Sequence, residues 1–264
     1  MSDITEDAAN VPYLDRFRLT GRHVLVTGGA RGIGLATCEA LAQAGALVVL
    51  TDRDADAAEA AAKGLAEKGL SVTSDVLEVT DAAAVQALAD RHPDVDTLVN
   101  NAGIARSNIP AETMSDDEWS SVIDINLNGL FWCCRSFGAR MLERGSGSIV
   151  NVGSMSGYIV NRPQEQAQYN ASKAAVHQLT KSLAAEWAPR GVRVNAVAPT
   201  YIETEMNSYV YEDENLMRHW IGGTPQSRMG RTDEVASVIL FLASDAASLM
   251  TGSIVLADGG YTCW

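Results

Sequence analysis

The chain has 264 residues, of which 47% are hydrophobic and 20% are charged, and its formal net charge is -13. This length fits one large α/β domain that needs no metal or disulfide for stability, and its four cysteines show no CxxC spacing. The acidic balance argues against a nucleic-acid partner and against an anionic membrane surface.

Residues 1–20 have the composition of a polar N-terminal extension. The first ten residues are acidic, whereas a secretory signal begins with basic residues and continues into an apolar stretch. No apolar run in the chain reaches the length that a membrane-spanning helix needs. We therefore expect a cytoplasmic protein with no membrane partner.

Short apolar strand patterns alternate with alanine-rich helical patterns after residue 20. The strand patterns are His23–Thr27, Leu47–Thr51, Ser71–Ser74, Asp96–Asn100, Ser148–Val152, Val192–Ala196 and Ser253–Leu256. The helical patterns are Gly34–Ala44, Ala55–Lys68, Asp81–Arg91, Asp116–Arg144, Tyr169–Pro189 and Asp233–Ala243. Almost wholly apolar strands that alternate with helices are typical of a parallel sheet covered on both faces. The sequence therefore predicts a single α/β domain over residues 21–264, a doubly wound parallel sheet of about seven strands. Residues 203–226 interrupt the alternation, and we interpret them as a lid.

A glycine-rich turn joins the first strand to the first helix, with the sequence Thr-Gly-Gly-Ala-Arg-Gly-Ile-Gly over residues 27–34. Glycines at such a junction allow a tight turn and a close approach of the backbone to a pyrophosphate. The N–H groups at the start of the helix are then available to the anion. The turn therefore predicts a dinucleotide site.

Asp52 ends the second strand, 18 residues after Gly34. A carboxylate at this place accepts hydrogen bonds from the adenosine ribose hydroxyls and repels a 2′-phosphate. Arg31 and Arg53 favour NADP instead, since either side chain could pair with its 2′-phosphate. Asp52 decides the prediction, and we expect NAD rather than NADP.

Tyr169 and Lys173 lie four residues apart in a predicted helix and therefore share one face. An ammonium beside a phenol favours the ionised form and lowers a pKa that is normally about 10. Such a phenol can exchange a proton with an alcohol or a carbonyl oxygen. Ser154 follows the fifth strand, at the edge of the sheet where ligands bind, and its hydroxyl could hydrogen-bond to a substrate oxygen. The four histidines are scattered, and their spacing suggests no metal site.

These motifs, together with the turn Asn100-Asn-Ala-Gly103, resemble in order and spacing the short-chain dehydrogenase/reductase family. The resemblance runs from about His23 to the C-terminus, and it implies a Rossmann sheet, a nicotinamide cofactor and hydride transfer at a carbon that bears oxygen. It also implies that Tyr169 is the acid/base, that Ser154 polarises the substrate oxygen, and that Lys173 holds the nicotinamide ribose. Asn126 then corresponds to the helix asparagine that anchors a water in the proton relay. The cofactor-binding positions that follow are Gly28, Arg31, Gly32, Ile33, Gly34, Asp52, Asp75, Val76, Asn101, Ala102, Gly103, Tyr169, Lys173, Pro199, Ile202 and Thr204.

Two features depart from the commonest family pattern. Thr200 follows Pro199 where glycine is usual, and the interval between Ser154 and Tyr169 is longer than usual. The longer interval is similar to that of bacterial polyol dehydrogenases of this family. Ser154, Ser156, Asn161 and Tyr169 are accordingly the predicted substrate contacts, because a polyhydroxylated substrate needs polar partners.

Three functional hypotheses follow. The first is a reversible NAD-dependent oxidation of a secondary hydroxyl of a galactitol-like polyol to a ketose, by a homotetramer. The second is a 3-oxoacyl or general carbonyl reductase of the same family, which should prefer NADPH and carry a basic docking patch. The third is a dinucleotide-binding sensor without catalysis, for which the loss of Tyr169 or Lys173 would be typical, yet both residues are present.

Overall fold

The structure is a computed structural model that describes residues 12–264, apart from the side chains of residues 205, 206, 208 and 209. The described chain contains a parallel sheet of seven strands in the order β3-β2-β1-β4-β5-β6-β7. The strands are β1 His23–Thr27, β2 Leu47–Asp52, β3 Val72–Val76, β4 Thr97–Asn100, β5 Gly147–Val152, β6 Val192–Pro199 and β7 Ile254–Ala257. All pairings are parallel, so the carboxyl ends of the strands meet along one edge of the sheet.

The helices are α1 Gly32–Gln43, α2 Ala55–Glu67, α3 Ala82–Arg91, α4 Asp116–Ile123, α5 Leu130–Arg144, α6 Ala167–Trp187, α7 Glu214–Trp220 and α8 Thr232–Ala243. Apolar residues of α1, α2 and α8 pack on one face of the sheet. Those of α3, α5 and α6 pack on the other face. The predicted doubly wound Rossmann architecture, with seven parallel strands, is confirmed.

The long helix predicted over residues 116–144 is divided in the structure. Ser115 begins α4 with a reciprocal capping interaction with Glu118. A π-helical stretch, Asp124–Gly129, then separates α4 from α5. Such a stretch is frequent at functional sites, and here it contains Asn126. Gly145, in the left-handed conformation at φ 71°, ends α5.

The first eleven residues of the predicted extension lie outside the described residues. Leu19, which also belongs to that extension, is buried in the core, and its N–H donates to the carbonyl of Ala44 (2.8 Å). The predicted lid contains a 3₁₀ helix, Glu205–Glu212, and α7. Over the described residues, no helix combines the length and the apolar character needed to cross a bilayer.

Candidate active site

The glycine turn after β1 has a geometry that larger residues could not adopt. Gly28 and Gly32 have φ values of 62° and 56°, in the left-handed region that favours glycine. A Cβ on Gly28 would lie 2.9 Å from Cα of Ala102, and one on Gly34 would lie 2.1 Å from the carbonyl oxygen of Gly28. The turn is therefore closed by backbone atoms, and α1 begins directly at Gly32.

Asn101 holds this turn against the end of β4. Its side-chain nitrogen Nδ2 donates to the carbonyl oxygens of Thr27 (3.0 Å) and Gly28 (2.7 Å). The hydroxyl of Thr27 in turn accepts from the backbone N–H groups of Asn101 and Ala102, both at 3.1 Å. Asn101 thus joins neighbouring strands, as the sequence suggests, and it fixes the position of the glycine turn.

Asp52 lies at the end of β2, directly beside the glycine turn. Its carboxylate accepts hydrogen bonds from the backbone N–H groups of Ala30 and Asp54, at 3.3 and 3.2 Å. Arg31, a residue that could contact a 2′-phosphate, pairs with the carboxylate of Asp54 at 3.2 Å. The carboxylates of Asp52 and Asp54 therefore both lie close to the glycine turn, on the side where the adenosine ribose is expected.

Asp75 does not occupy the position that the sequence assigns to it. It lies within β3 level with Thr51, and its carboxylate is bound by Arg91 (2.9 Å) and His92 (3.1 Å). The pKa of Asp75 is lowered: burial raises it, but the hydrogen bonds from His92 and Arg91 outweigh that effect. The prediction that Asp75 and the half-exposed Val76 face the adenine therefore lacks support from the geometry.

Glu78 and Val79 lie nearer than Asp75 and Val76 to the edge of the sheet where the carboxyl ends of the strands meet. The last ladder bond of this strand pair runs from the N–H of Leu77 to the carbonyl of Asp52 (2.9 Å), and Glu78 and Val79 follow it. Sequence reasoning missed this pair because the Asp-Val pattern occurs three residues earlier, inside the strand.

Lys173 is buried beneath the carboxyl end of β5. Its ammonium nitrogen Nζ donates to the carbonyl oxygen of Val152 (2.8 Å) and lies 5.7 Å from the centre of the Tyr169 ring. The side chain is on α6, as expected from the four-residue spacing. Burial lowers the pKa of Lys173 to about 8, because desolvation disfavours the charged form.

Tyr169 and Ser154 are the two other predicted catalytic residues near Lys173. Ser154 accepts from the backbone N–H of Ser156 (3.1 Å) and donates to the Ser156 hydroxyl (3.0 Å). Burial raises the pKa of the Tyr169 phenol, and a hydrogen bond from Ser154 acts in the opposite direction. The sequence predicts that Lys173 lowers this pKa, whereas in the structure desolvation of the phenol raises it.

Asn126 lies on the opposite side of Lys173 from β5. Its amide forms a reciprocal pair with the backbone of Ile104, at 2.8 and 2.9 Å, and also donates to the hydroxyl of Ser172 at 3.2 Å. A Cβ on Gly103 would meet both Oδ1 of Asn126 (3.2 Å) and Nζ of Lys173 (3.7 Å). Gly103 therefore packs directly against both side chains, and an added methyl group would be tight against Asn126.

The segment after β6 reaches back over the glycine turn. The methyl group of Thr204 lies 3.6 Å from the position of a Cβ on Gly32. Ile202 is buried and forms a bridge with Gly230, which holds the start of the segment in place. Pro199 ends β6, and the hydroxyl of the unusual Thr200 is buried without a hydrogen-bond partner among the described residues.

A network of buried polar side chains lies at the start of α6, the helix that carries Tyr169. Asn161, a predicted substrate contact, donates from Nδ2 to the Tyr201 hydroxyl and accepts at Oδ1 from Gln166, both at 2.9 Å. The Tyr201 hydroxyl donates to Gln164 at 3.3 Å. Sequence reasoning missed Tyr201, Gln164 and Gln166 as site residues, since no local signal relates Tyr201 to residues about forty positions earlier.

His177 packs behind the turn that carries Ser154. A Cβ on Gly153 would lie 2.6 Å from Nε2 of the His177 ring, and a Cβ on Gly157 would lie 2.5 Å from its Cε1. The imidazole also contacts the ring of Tyr158. Burial lowers the pKa of His177 to about 4, with a further contribution from the charge of Lys173. The imidazole is therefore neutral near pH 7 and supports the turn by packing.

These observations fit a nicotinamide dinucleotide. The glycine turn meets the N-terminus of α1, where a pyrophosphate would bind, and Asp52 lies beside this turn, where a ribose is expected. Lys173, Ser154 and Tyr169 are the residues that we expect at the nicotinamide end, where the oxygen of a reacting alcohol or carbonyl would bind.

Comparisons with known proteins agree with this geometry. A family model described as enoyl-(acyl carrier protein) reductase matches residues 28–262. Galactitol 2-dehydrogenase of Rhizobium johnstonii is 55% identical over 257 residues, which cover 96% of this chain and 99% of that protein. The crystal structure of gox2181 has a TM-score of 0.93 at 53% identity and covers 96% of this chain and 100% of its own. A gluconate 5-dehydrogenase from Burkholderia cenocepacia, in complex with NADP and tartrate, has a TM-score of 0.90 at 37% identity, covering 95% and 99%. The chain belongs to the short-chain dehydrogenase/reductase family, whose members are oxidoreductases that bind a nicotinamide dinucleotide.

Proposed function

We propose that this protein is an NAD-dependent polyol dehydrogenase that reversibly oxidises a secondary hydroxyl of a galactitol-like sugar alcohol to a ketose. The observation that carries the substrate class is the buried polar network of Asn161, Gln164, Gln166 and Tyr201 at the start of the helix that carries Tyr169. A polyhydroxylated substrate requires such donors and acceptors, whereas an acyl or steroid substrate would favour an apolar wall. The similarity to a galactitol 2-dehydrogenase supports the same class.

In the proposed reaction, Ser154 and Tyr169 hold the reacting hydroxyl. A bound nicotinamide would supply the hydride acceptor for the substrate carbon. Tyr169 in its phenolate form takes the hydroxyl proton, and in the reverse direction the neutral phenol returns this proton to the carbonyl oxygen. Ser154 stabilises the charge that develops on that oxygen. Lys173 holds a positive charge 5.7 Å from the phenol ring, and Asn126 holds the neighbouring backbone at Ile104.

The preference for NAD rests on Asp52 and Asp54. Their carboxylates lie close to the glycine turn, and Asp54 pairs with Arg31, one of the two arginines that could contact a 2′-phosphate. A phosphate there would meet a negative field, which disfavours NADP. The site is therefore better suited to NAD, although a structural relative binds NADP.

We expect the enzyme to act in the cytoplasm as a homotetramer. Light scattering coupled to size-exclusion chromatography measures the assembly directly, and a monomer at micromolar concentration would contradict this expectation.

Initial-rate measurements on a substrate panel test the function. The panel contains galactitol, other sugar alcohols and a monohydric secondary alcohol, each with NAD and with NADP, and a 3-oxoacyl thioester with NADPH. We expect turnover of at least one sugar alcohol, with NAD favoured over NADP by about tenfold or more in kcat/KM. Turnover of the thioester alone would favour the reductase hypothesis. Dinucleotide binding without turnover of any substrate would favour the sensor.

A further inference from the structure

Tyr201 occupies a central place in the polar network although it lies outside the motifs that define the family. It follows Pro199 and Thr200 at the end of β6, and its side chain is 8% exposed. Burial raises the pKa of the Tyr201 phenol, so that it remains a neutral donor throughout the working range. Its hydroxyl accepts from Nδ2 of Asn161 and donates to Oε1 of Gln164. The phenol thereby selects one orientation of the Asn161 amide.

The network continues from Asn161 to the start of the helix that carries Tyr169. Oδ1 of Asn161 accepts from Nε2 of Gln166 (2.9 Å), and the hydroxyl of Ser107 donates to Oε1 of Gln166 (2.9 Å). The backbone carbonyl of Gln166 accepts the N–H groups of Tyr169 (3.0 Å) and Asn170 (3.1 Å). The orientation of Asn161 is therefore tied to the first turn of α6.

The ring of Tyr201 makes a second set of contacts, with the predicted lid. It stacks on Trp220 of α7 with a centroid distance of 3.8 Å and an interplanar angle of 5°. Val210, from the 3₁₀ helix of the lid, and Met155, the residue after Ser154, belong to the same buried cluster. One side chain thus contacts Trp220 of the lid and the amide of Asn161, and it shares a buried cluster with Met155.

We propose that Tyr201 is a positioning residue that sets the selectivity for polyhydroxylated substrates, by fixing the Asn161 amide through its hydroxyl and by docking the lid through its ring. This inference rests on the proposed polyol dehydrogenase activity. Without the phenol, Nδ2 of the buried Asn161 amide loses its acceptor and only Gln166 still holds the amide, and a site built to bind substrate hydroxyls then loses its discrimination. The reacting hydroxyl itself is bound by Ser154 and Tyr169, so a substrate with a single hydroxyl does not depend on Tyr201.

The test is Tyr201→Phe, which removes the hydroxyl and keeps the ring that stacks on Trp220. We expect kcat/KM for the sugar alcohol to fall about ten- to fiftyfold, mainly through KM, because a buried hydrogen-bonded pair is broken. We expect kcat/KM for the monohydric alcohol to change by less than about twofold. Tyr13→Phe is the matched control, because Tyr13 is 72% exposed, and it should leave both substrates unaffected.

A double-mutant cycle with Asn161→Ala separates positioning from general damage. If the phenol acts through Asn161, the double variant should lose little more polyol activity than Asn161→Ala alone. If the losses in kcat/KM of the two single variants add up in the double variant, Tyr201 has a merely structural role. The same conclusion follows if Tyr201→Phe lowers kcat/KM equally for the monohydric alcohol and the sugar alcohol. Unchanged polyol kinetics in Tyr201→Phe would contradict this inference alone. A wild-type enzyme that oxidises the monohydric alcohol but no polyol would contradict the proposed function, and with it this inference.

Discussion

The burial of Lys173 has a measurable consequence for the pH dependence of stability. Its side chain is 5% exposed, and its pKa falls from 10.5 to about 8 in the folded protein. Between these two values the unfolded chain binds more protons at this residue than the folded protein does. Stability contributed by this site therefore rises with pH across that window, and it does not change below it.

The size of the effect follows from the two pKa values. The whole interval corresponds to about 3 kcal/mol, and most of it is regained between pH 7 and pH 10. The hydrogen bond from Nζ to the carbonyl of Val152 survives loss of the proton, since a neutral amine still donates. Lys173→Met lacks a titrating group at this position, so the variant provides the reference.

We therefore expect the free energy of unfolding of the wild type, relative to Lys173→Met, to increase by about 2–3 kcal/mol from pH 7 to pH 10. Urea denaturation of the ligand-free proteins at one fixed concentration measures it, with the fluorescence of the five tryptophans as the signal. Lys181→Met is the matched control, because Lys181 is exposed on the same helix, and its curve should run parallel to that of the wild type. A constant difference between the wild type and Lys173→Met over this range would refute the desolvation of Lys173.

Three further changes test the site. Tyr169→Phe should lower kcat by about a thousandfold or more, because the acid/base is lost, while calorimetry shows NAD affinity within about twofold. Activity close to that of the wild type would remove the phenol from the mechanism. Asp52→Ala should raise the ratio of kcat/KM with NADP to kcat/KM with NAD by about tenfold, because it removes the repulsion between the Asp52 carboxylate and the 2′-phosphate. An unchanged ratio would show that residues other than Asp52 determine the cofactor preference. Gly34→Ala should abolish NAD binding, because its Cβ would lie 2.1 Å from the carbonyl oxygen of Gly28. Gly64→Ala is its control, with no atom within 4 Å, and should stabilise α2 by about 0.5–1 kcal/mol in thermal unfolding. If Gly34→Ala bound NAD and unfolded in the same way as Gly64→Ala, the tight packing of the turn would be contradicted.

Several features of the fold and site were predictable because their signals are local. The alternation of apolar strands with helices predicts the sheet, and the glycine turn lies at the first strand–helix junction as expected. The four-residue spacing of Tyr169 and Lys173 places both on α6. Asp75 shows the opposite case: the motif was recognisable, but its position relative to the end of β3 depends on strand register, which neighbouring strands determine.

The sequence by itself determined the family and the parallel sheet and predicted the catalytic group, because periodicity and short motifs depend on contacts within a few residues. Only the tertiary structure decided which polar side chains meet in the buried network before α6. Tyr201, Asn161 and Gln166 come from separate segments, and packing of those segments brings their amide and phenol groups within hydrogen-bond distance. The electrostatic state of Lys173 and Tyr169 was likewise decided by burial, since desolvation depends on every element packed around a charge and not on the spacing of the pair.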